Sequence, residues 1–203
     1  MININGRKII NDFENPIDNI LINICEHVAT FLYNNINFIT PNIITTISLI
    51  LSCIAIYLIY HKYYKIGAIL YLIGYFLDCL DGYYARKYNM ITKIGDYYDH
   101  ISDIIKYILL LYILIISNLK YKTKLYIIII IVILTILSLI HLGLQELNIK
   151  NEFKDFISVL NILNKINFNK EYIIYSKYIG LGTLQLVIFI LIFFLKQIND
   201  KIS

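Results

Sequence analysis

Charge is what this sequence lacks most. Of its 203 residues only 16% are charged while 59% are hydrophobic, and the mean hydropathy is +0.67. A soluble domain of this length carries more charge, so that class is excluded and an integral membrane protein is indicated. Cysteine is scarce as well. Cys25, Cys53 and Cys79 are dispersed with no C-x-x-C spacing, which excludes a disulfide framework and a zinc site. The N-terminal MININGRKIINDFENP has no apolar h-region, so no cleavable signal peptide is expected and the first transmembrane helix directs insertion. The net charge of +4 is small and spread over many loops, and it points to no nucleic-acid partner.

What is present is hydrocarbon in runs of about 20 residues, the length that spans a bilayer core as a helix. Five spans are expected, at 42–60, 66–86, 95–117, 123–144 and 178–195, the first entered through Pro41, a natural helix-start residue. Residues 16–33 place Ile17, Ile20, Leu21, Ile24, Val28, Phe31 and Leu32 on one helical face, with Asp18, Asn19, Asn23 and Glu26 on the rest, the pattern of a helix lying in the membrane interface. Residues 145–177 hold FKDFISVLNILNKINF, which reads either as a second interfacial helix or as a sixth span. The expected fold is therefore an all-α polytopic membrane bundle of five to six transmembrane helices with an N-terminal amphipathic interfacial helix. Residues 1–40 form the interfacial segment and 41–203 the transmembrane domain. With the 87–94 loop placed in the cytoplasm, ten Lys and Arg fall on that side against seven opposite, a lean toward positive-inside.

Against this background, DCLDGYYARKYNMITKIGDYYDHISD at 78–103 is anomalous. It concentrates Asp78, Asp81, Asp96, Asp99 and Asp103 between apolar runs. Asp78, Asp81, Gly82 and Ala85 fall at i, i+3, i+4 and i+7, one face of a helix. Asp99 and Asp103 share a face of the next helix. The link 87–94 is short enough to make the two helices antiparallel neighbours, so four carboxylates converge. Each ionised Asp at mid-membrane costs about 2.5–3.5 kcal/mol even on insertion scales, and like charges at close range repel further. A hard divalent cation, Mg²⁺, Mn²⁺ or Ca²⁺, is the natural compensation. The notch at Gly82 and Ala85, followed by the planar fork of Arg86, suits a diphosphate. A bound cation there would stabilise charge as the phosphoanhydride breaks, and a carboxylate could deprotonate an attacking hydroxyl. Asp96 falls in a first helical turn, where a negative charge is favoured in any case.

Asp78, Asp81, Gly82, Ala85, Arg86, Gly95, Asp99 and Asp103, at this spacing, resemble the complete signature of the CDP-alcohol phosphatidyltransferases. TPNIIT at 40–45 resembles the segment that opens that family's first span. The resemblance implies a six-helix membrane enzyme, commonly a homodimer, with its site open to the cytosolic face and with Mg²⁺ or Mn²⁺ as cofactor. It implies that Asp78, Asp81 and Asp99 bind metal, and that Asp103 contributes to the metal site and accepts the proton of the alcohol. Gly82 and Arg86 then contact the CDP moiety, Ala85 and Gly95 let the nucleotide approach, and Thr92, Asn42 and Thr45 contact the nucleotide-linked substrate. The implied reaction is attack of a hydroxyl on the phosphorus at the non-cytidine side of the diphosphate, releasing CMP. Donor and acceptor are either CDP-diacylglycerol and a small alcohol, or a CDP-alcohol and diacylglycerol. ARKYNMITKIG looks like phosphatidylglycerophosphate synthases, DHISD like choline and ethanolamine phosphotransferases.

Other polar residues have plainer readings. His100 points about 100° away from Asp99 around the helix and suits packing. His141 and Gln145 suit an interhelical hydrogen bond. Lys106 either snorkels or counters the carboxylates or a phosphate-bearing acceptor, and the Tyr pairs at 63–64, 83–84 and 97–98 suit an interfacial belt. A prenyltransferase would need a second aspartate-rich motif, which is missing, and a cation transporter would need acids in other spans, where 42–60, 123–144 and 178–195 have none. A non-catalytic or ion-binding membrane protein is the remaining alternative.

Overall fold

The computed structural model describes residues 6–148 and 170–202. Among them the chain is helical and carries no strand. A 3-10 turn at Asn11–Phe13 leads into α1 (Pro16–Asn35), followed by α2 (Pro41–Tyr60), α3 (Tyr64–Lys87), α4 (Lys93–Ile116) and α5 (Tyr121–Asn148). After 3-10 turns and the single turn α6 (Ile173–Ser176), α7 (Leu181–Phe193) and α8 (Leu195–Lys201) close the chain. Among the described residues, four stretches are long and apolar enough to cross a membrane: Pro41–Tyr60, Tyr64–Lys87, Tyr121–Glu146 and Ile173–Phe193. α4 matches α3 in length at 24 residues, but Asp99 and Asp103 fall in its first half and Lys106 breaks the apolar run that begins at Ile104, so no apolar length sufficient to span remains without them. The last apolar stretch begins near Ile173, earlier than the expected 178, and is bent by the 3-10 turn Lys177–Ile179. The 155–170 segment considered for a sixth span falls, apart from Lys170, outside the described residues.

Local chemistry sets the boundaries. α1 and α2 each begin with Pro at the first position, capped by the side chains of Asn15 and Thr40, where the missing N–H of Pro costs nothing. α3 ends as Asn89 takes φ 55°, the left-handed conformation Asn tolerates after a helix. Thr92 then caps α4 by accepting from the Gly95 N–H at 3.0 Å. Helices α3 and α4 are thus antiparallel with only five residues between them.

α3 is central, packing on α1, α2 and α7. Small residues let α2 come close: Ala55 and Ala68 are fully buried, and the Ser48 hydroxyl donates to the Gly74 carbonyl at 2.9 Å. In a bilayer, where lipid is as apolar as Leu, such close packing and interhelical hydrogen bonds do the work that water expulsion does elsewhere. Apolar side chains of α2, α3, α4, α5 and α7 form one core around Ile59, Tyr71, Leu114, Ile131 and Ile188. A second core, around Cys25, Ala29, Ile44, Leu80, Tyr83 and Tyr84, fixes α1 against α3. The expected belt role of Tyr83 and Tyr84 is corrected here. Both are 1% exposed, because α1 and the N-terminal segment cover the flank of α3 that a hydropathy pattern assigns to the interface.

α1 uses its two faces differently. Asp18, Ile22, Cys25 and Ala29 are buried against the bundle, while Ile20, Ile24 and Phe31 of the expected apolar face stand exposed. The burial of Asp18 is compensated. Its carboxylate accepts from the Tyr75 hydroxyl at 2.6 Å and from the Gly182 N–H at 3.1 Å, and Asn15 donates to the Lys177 carbonyl and Thr183. These bonds staple α1 to α3 and to the start of α7. Burial pushes the Asp18 carboxyl up from 3.8 to about 7, with Glu14 adding to it against the pull of the Tyr75 and Gly182 hydrogen bonds. The folded protein therefore binds this proton more tightly than the unfolded chain, so the group's contribution is full below about pH 4 and is lost as pH rises through about 7. Thermal denaturation in detergent is expected to show wild-type stability declining from pH 5 to pH 8, with a shallower slope for Asp18→Asn. An unchanged slope in the variant would refute the assignment.

Candidate active site

The short turn between α3 and α4 sets Asp78 and Asp81 opposite Asp99 and Asp103. One oxygen from each of Asp78, Asp99 and Asp103 lies within 4.8 Å of the others. The three are graded in exposure, Asp103 being the most open, with 48% of its side chain accessible against 16% for Asp78. Asp81 is placed differently. It is 3% exposed and its Oδ2 accepts from the Thr45 hydroxyl at 2.5 Å, so it stands behind the three-oxygen group, held by α2.

Lys106, one turn beyond Asp103, enters the cluster. Its Nζ lies 2.5 Å from Asp78 Oδ1 and 2.7 Å from Asp103 Oδ1, and it donates to Ser48 Oγ at 3.4 Å. Of the two readings the sequence left open, the geometry selects the counter-charge. The signal for it was the i, i+3 spacing from Asp103, which on a helix brings the two side chains together. Lys106 is 7% exposed, so it does not snorkel.

The donor set suits a hard divalent cation. All its groups are carboxylates, which such ions prefer. Oxygens on opposite sides of an ion at about 2.1 Å stand about 4.2 Å apart, close to the spread observed. Asp99 Oδ1 is buried and finds no hydrogen-bond partner among the described residues, a costly state for a carboxylate oxygen unless a cation is meant to meet it.

The remaining expected residues fall into two groups. On the α4 side, a side chain at Gly95 would meet Thr92 Oγ1 at 2.9 Å and Asn42 Oδ1 at 3.0 Å, so Asn42, Thr92 and Gly95 share one edge of the site. Thr92 is committed to capping α4, and Thr45 to Asp81. On the α3 side, the Arg86 guanidinium folds over Gly82, where an added Cβ would lie 3.1 Å from its Nη1. Arg86 Nε donates to the Gly6 carbonyl at 2.9 Å. Gly6 has φ +88°, and any Cβ there would run into the Tyr83 ring, so glycine is needed for the N-terminal segment to reach Arg86. Ala85 is partly buried next to it on α3. Gly6 and Ser48 had no motif to mark them.

The other polar residues turn elsewhere. His100 Nδ1 sits 2.9 Å from the Asp96 carbonyl. His141 Nδ1 pairs with Ser176 Oγ at 2.9 Å, the interhelical bond expected of it, whereas Gln145 donates at 2.9 Å to Glu14, in the segment before α1.

A model of the CDP-alcohol phosphatidyltransferase family matches residues 38–202. Among curated proteins the chain is similar to the CDP-diacylglycerol–glycerol-3-phosphate 3-phosphatidyltransferase of Rickettsia typhi, 46% identical over 39 residues that make up 19% of this chain and 22% of that protein. The enzyme of the same name from Aquifex aeolicus is 35% identical over 63 residues, 31% of this chain and 35% of its own. The archaetidylinositol phosphate synthase of Pyrococcus horikoshii is 35% identical over 65 residues, 32% and 35% of the two chains. The matched stretches thus span between about a fifth and about a third of those relatives' length. No solved structure matches.

Thr45→Val keeps the shape of the side chain and removes the donor to Asp81, leaving a buried carboxylate oxygen short of a partner. The expected loss is about 1–3 kcal/mol of stability, read as a lower thermal midpoint in detergent, with Thr45→Ser close to wild type. A Val variant as stable as wild type would show that the hydroxyl does not hold Asp81.

Proposed function

The chain belongs to the CDP-alcohol phosphatidyltransferase family, and from that premise we propose that it transfers a phosphatidyl group from CDP-diacylglycerol to the hydroxyl of a phosphate-bearing alcohol, releasing CMP, with Mg²⁺ or Mn²⁺ at the carboxylates. The observation that carries this reading is the convergence of Asp78, Asp99 and Asp103 oxygens within 4.8 Å. The donor and a glycerol 3-phosphate acceptor follow the names of the Rickettsia and Aquifex relatives. The Pyrococcus relative's name favours an inositol phosphate as the second acceptor to test.

In this reading Asp78, Asp99 and Asp103 hold the ion, and Asp81, fixed by Thr45, completes the set from behind. An ion held by these carboxylates would supply positive charge to the diphosphate oxygens as the phosphoanhydride breaks. Gly82 and Ala85 leave room for the diphosphate, and the terminal nitrogens of Arg86, which lie over Gly82, suit phosphate oxygens. Gly95, Thr92 and Asn42 line the nucleotide's other side, while Thr45 acts through Asp81. Asp103 takes the proton of the acceptor hydroxyl. That oxygen bonds to the phosphorus carrying diacylglycerol, the bond from this phosphorus to the bridging oxygen breaks, and CMP leaves with the bridging oxygen.

We place the carboxylate end toward the cytoplasm, supported by the excess of Lys and Arg in the loops on that side. α4 serves as a fifth span whose charges are partly compensated inside the bundle by the pairing of Lys106 with Asp103 and Asp78. α1 lies in the interface with Ile20, Ile24 and Phe31 toward lipid, so that residues 1–40 act as an interfacial segment and 41–203 as the transmembrane catalytic domain.

The direct test is CMP release by the purified protein with Mn²⁺ or Mg²⁺, labelled CDP-diacylglycerol, and glycerol 3-phosphate, inositol phosphate, inositol or serine in turn, with CDP-choline plus diacylglycerol run in parallel. Turnover is expected with a phosphate-bearing acceptor. Asp103→Asn is expected to lower turnover by about 10²–10⁴-fold, the range of general-base catalysis, while CDP-diacylglycerol binding stays near wild type. Equal losses of binding and turnover would make Asp103 a ligand only, and no CMP release with any pair would sink the enzymatic reading.

A further inference from the structure

We infer that Lys106 is the resident counter-cation of the carboxylate cluster and competes with the divalent ion for Asp78 and Asp103, a role that rests on the metal-site reading above. The ammonium lies against oxygens of two of the three carboxylates that converge, at 2.5 Å and 2.7 Å. Its third hydrogen-bonding direction goes to Ser48 on α2, at 3.4 Å. All three of its donors are therefore spent inside the bundle, and two of them occupy lone pairs of the same carboxylates that an ion would need.

An ion bonded to Asp78 and Asp103 would sit a few ångströms from this ammonium, and like charges at that distance repel. Entry of the ion thus requires Lys106 to withdraw from at least one carboxylate, which its flexible four-carbon stem allows. Asp99 lies outside these ion pairs. Its Oδ1, buried and without a partner among the described residues, is the oxygen on which an ion lands first. The consequence is a site that folds with its charges partly compensated in the absence of metal and holds metal less tightly than its carboxylates alone would. A purely structural ion pair between α3 and α4 makes a different prediction, namely lower stability without any gain in metal affinity.

The experiment is a Mn²⁺ titration of the detergent-purified full chain, followed by electron paramagnetic resonance without substrate, on wild type, Lys106→Met, Lys106→Arg and Asp99→Asn. Thermal midpoints are recorded in EDTA and in Mn²⁺. Lys106→Met is expected to bind Mn²⁺ at least tenfold more tightly than wild type, to melt lower in EDTA, and to recover when Mn²⁺ is added. Lys106→Arg keeps the charge and the fold and is expected to bind no more tightly than wild type. Asp99→Asn is expected to bind more weakly. Mn²⁺ binding by wild type with no gain in Lys106→Met overturns the role of Lys106 alone. A tenfold gain in Lys106→Arg overturns it too, even if the Met variant does not fold. No specific binding by any of the four proteins overturns the metal site and the inference together.

Discussion

The structure depends on how carboxylates are kept neutral inside an apolar bundle. Two unit charges about 4 Å apart interact by about 4 kcal/mol at the effective dielectric typical near a protein surface, and by more deeper in. Four Asp side chains on adjoining helices therefore push α3 and α4 apart unless something stands between them. Lys106 supplies one positive charge to Asp78 and Asp103, and Thr45 supplies a hydrogen bond to Asp81. Asp99 is left with an oxygen that has no partner among the described residues. The bundle is thus only partly compensated from within, and the uncompensated charge is what the proposed cation would meet.

That compensation works only because α2 sits close to α3. Thr45 and Ser48 lie one turn apart on α2, and both reach inward, one to Asp81 and the other to Lys106 and the Gly74 carbonyl. A side chain in place of Gly74 would strike the Ser52 hydroxyl, and one in place of Gly67 the Ala55 carbonyl, so the close approach of these helices needs a missing Cβ at both positions. Small residues lower in the bundle, Ala55 and Ala68 among them, keep the pair close along its length. Packing in the membrane core and charge balance at its edge are therefore one problem, solved by the same helix pair.

The carboxylate site was legible in the sequence because helix periodicity maps spacing directly onto faces: i, i+3 and i, i+4 put Asp78 with Asp81 and Asp99 with Asp103. The short link returns α4 toward α3 as expected, but the two helices are held mainly through α2, which packs against both. Periodicity says nothing of what lies opposite a face, which is why the hold of Thr45 on Asp81 and of Gly6 on Arg86 appeared only in three dimensions. Lys106 stood between two readings for the same reason, since snorkelling and inward pairing start from one position on the helix. Tyr83 and Tyr84 were misread because hydropathy treats Tyr as an interfacial residue, whereas here α1 folds back over them. α1 itself was legible as a helix, but the side it turns to the protein is the one carrying Asp18, whose burial is made tolerable by Tyr75 and the Gly182 N–H. Those partners lie 57 and 164 residues away in the chain, beyond the reach of any local pattern.

The four carboxylates are alike in chemistry and unlike in setting, and the setting divides their work. Asp81 is enclosed and already receives a strong hydrogen bond, so it cannot exchange protons with a substrate and serves to shape the site. Asp78 faces Lys106 and is largely covered. Asp99 keeps a buried oxygen in reserve. Asp103 alone has about half of its side chain exposed, the setting that its proposed role as the base requires. Lys106 and Asp78 both contact this carboxylate, and the rest of it is accessible. A base must be both reachable and held in place, and at this site exposure supplies the first condition while the i, i+3 ammonium supplies the second.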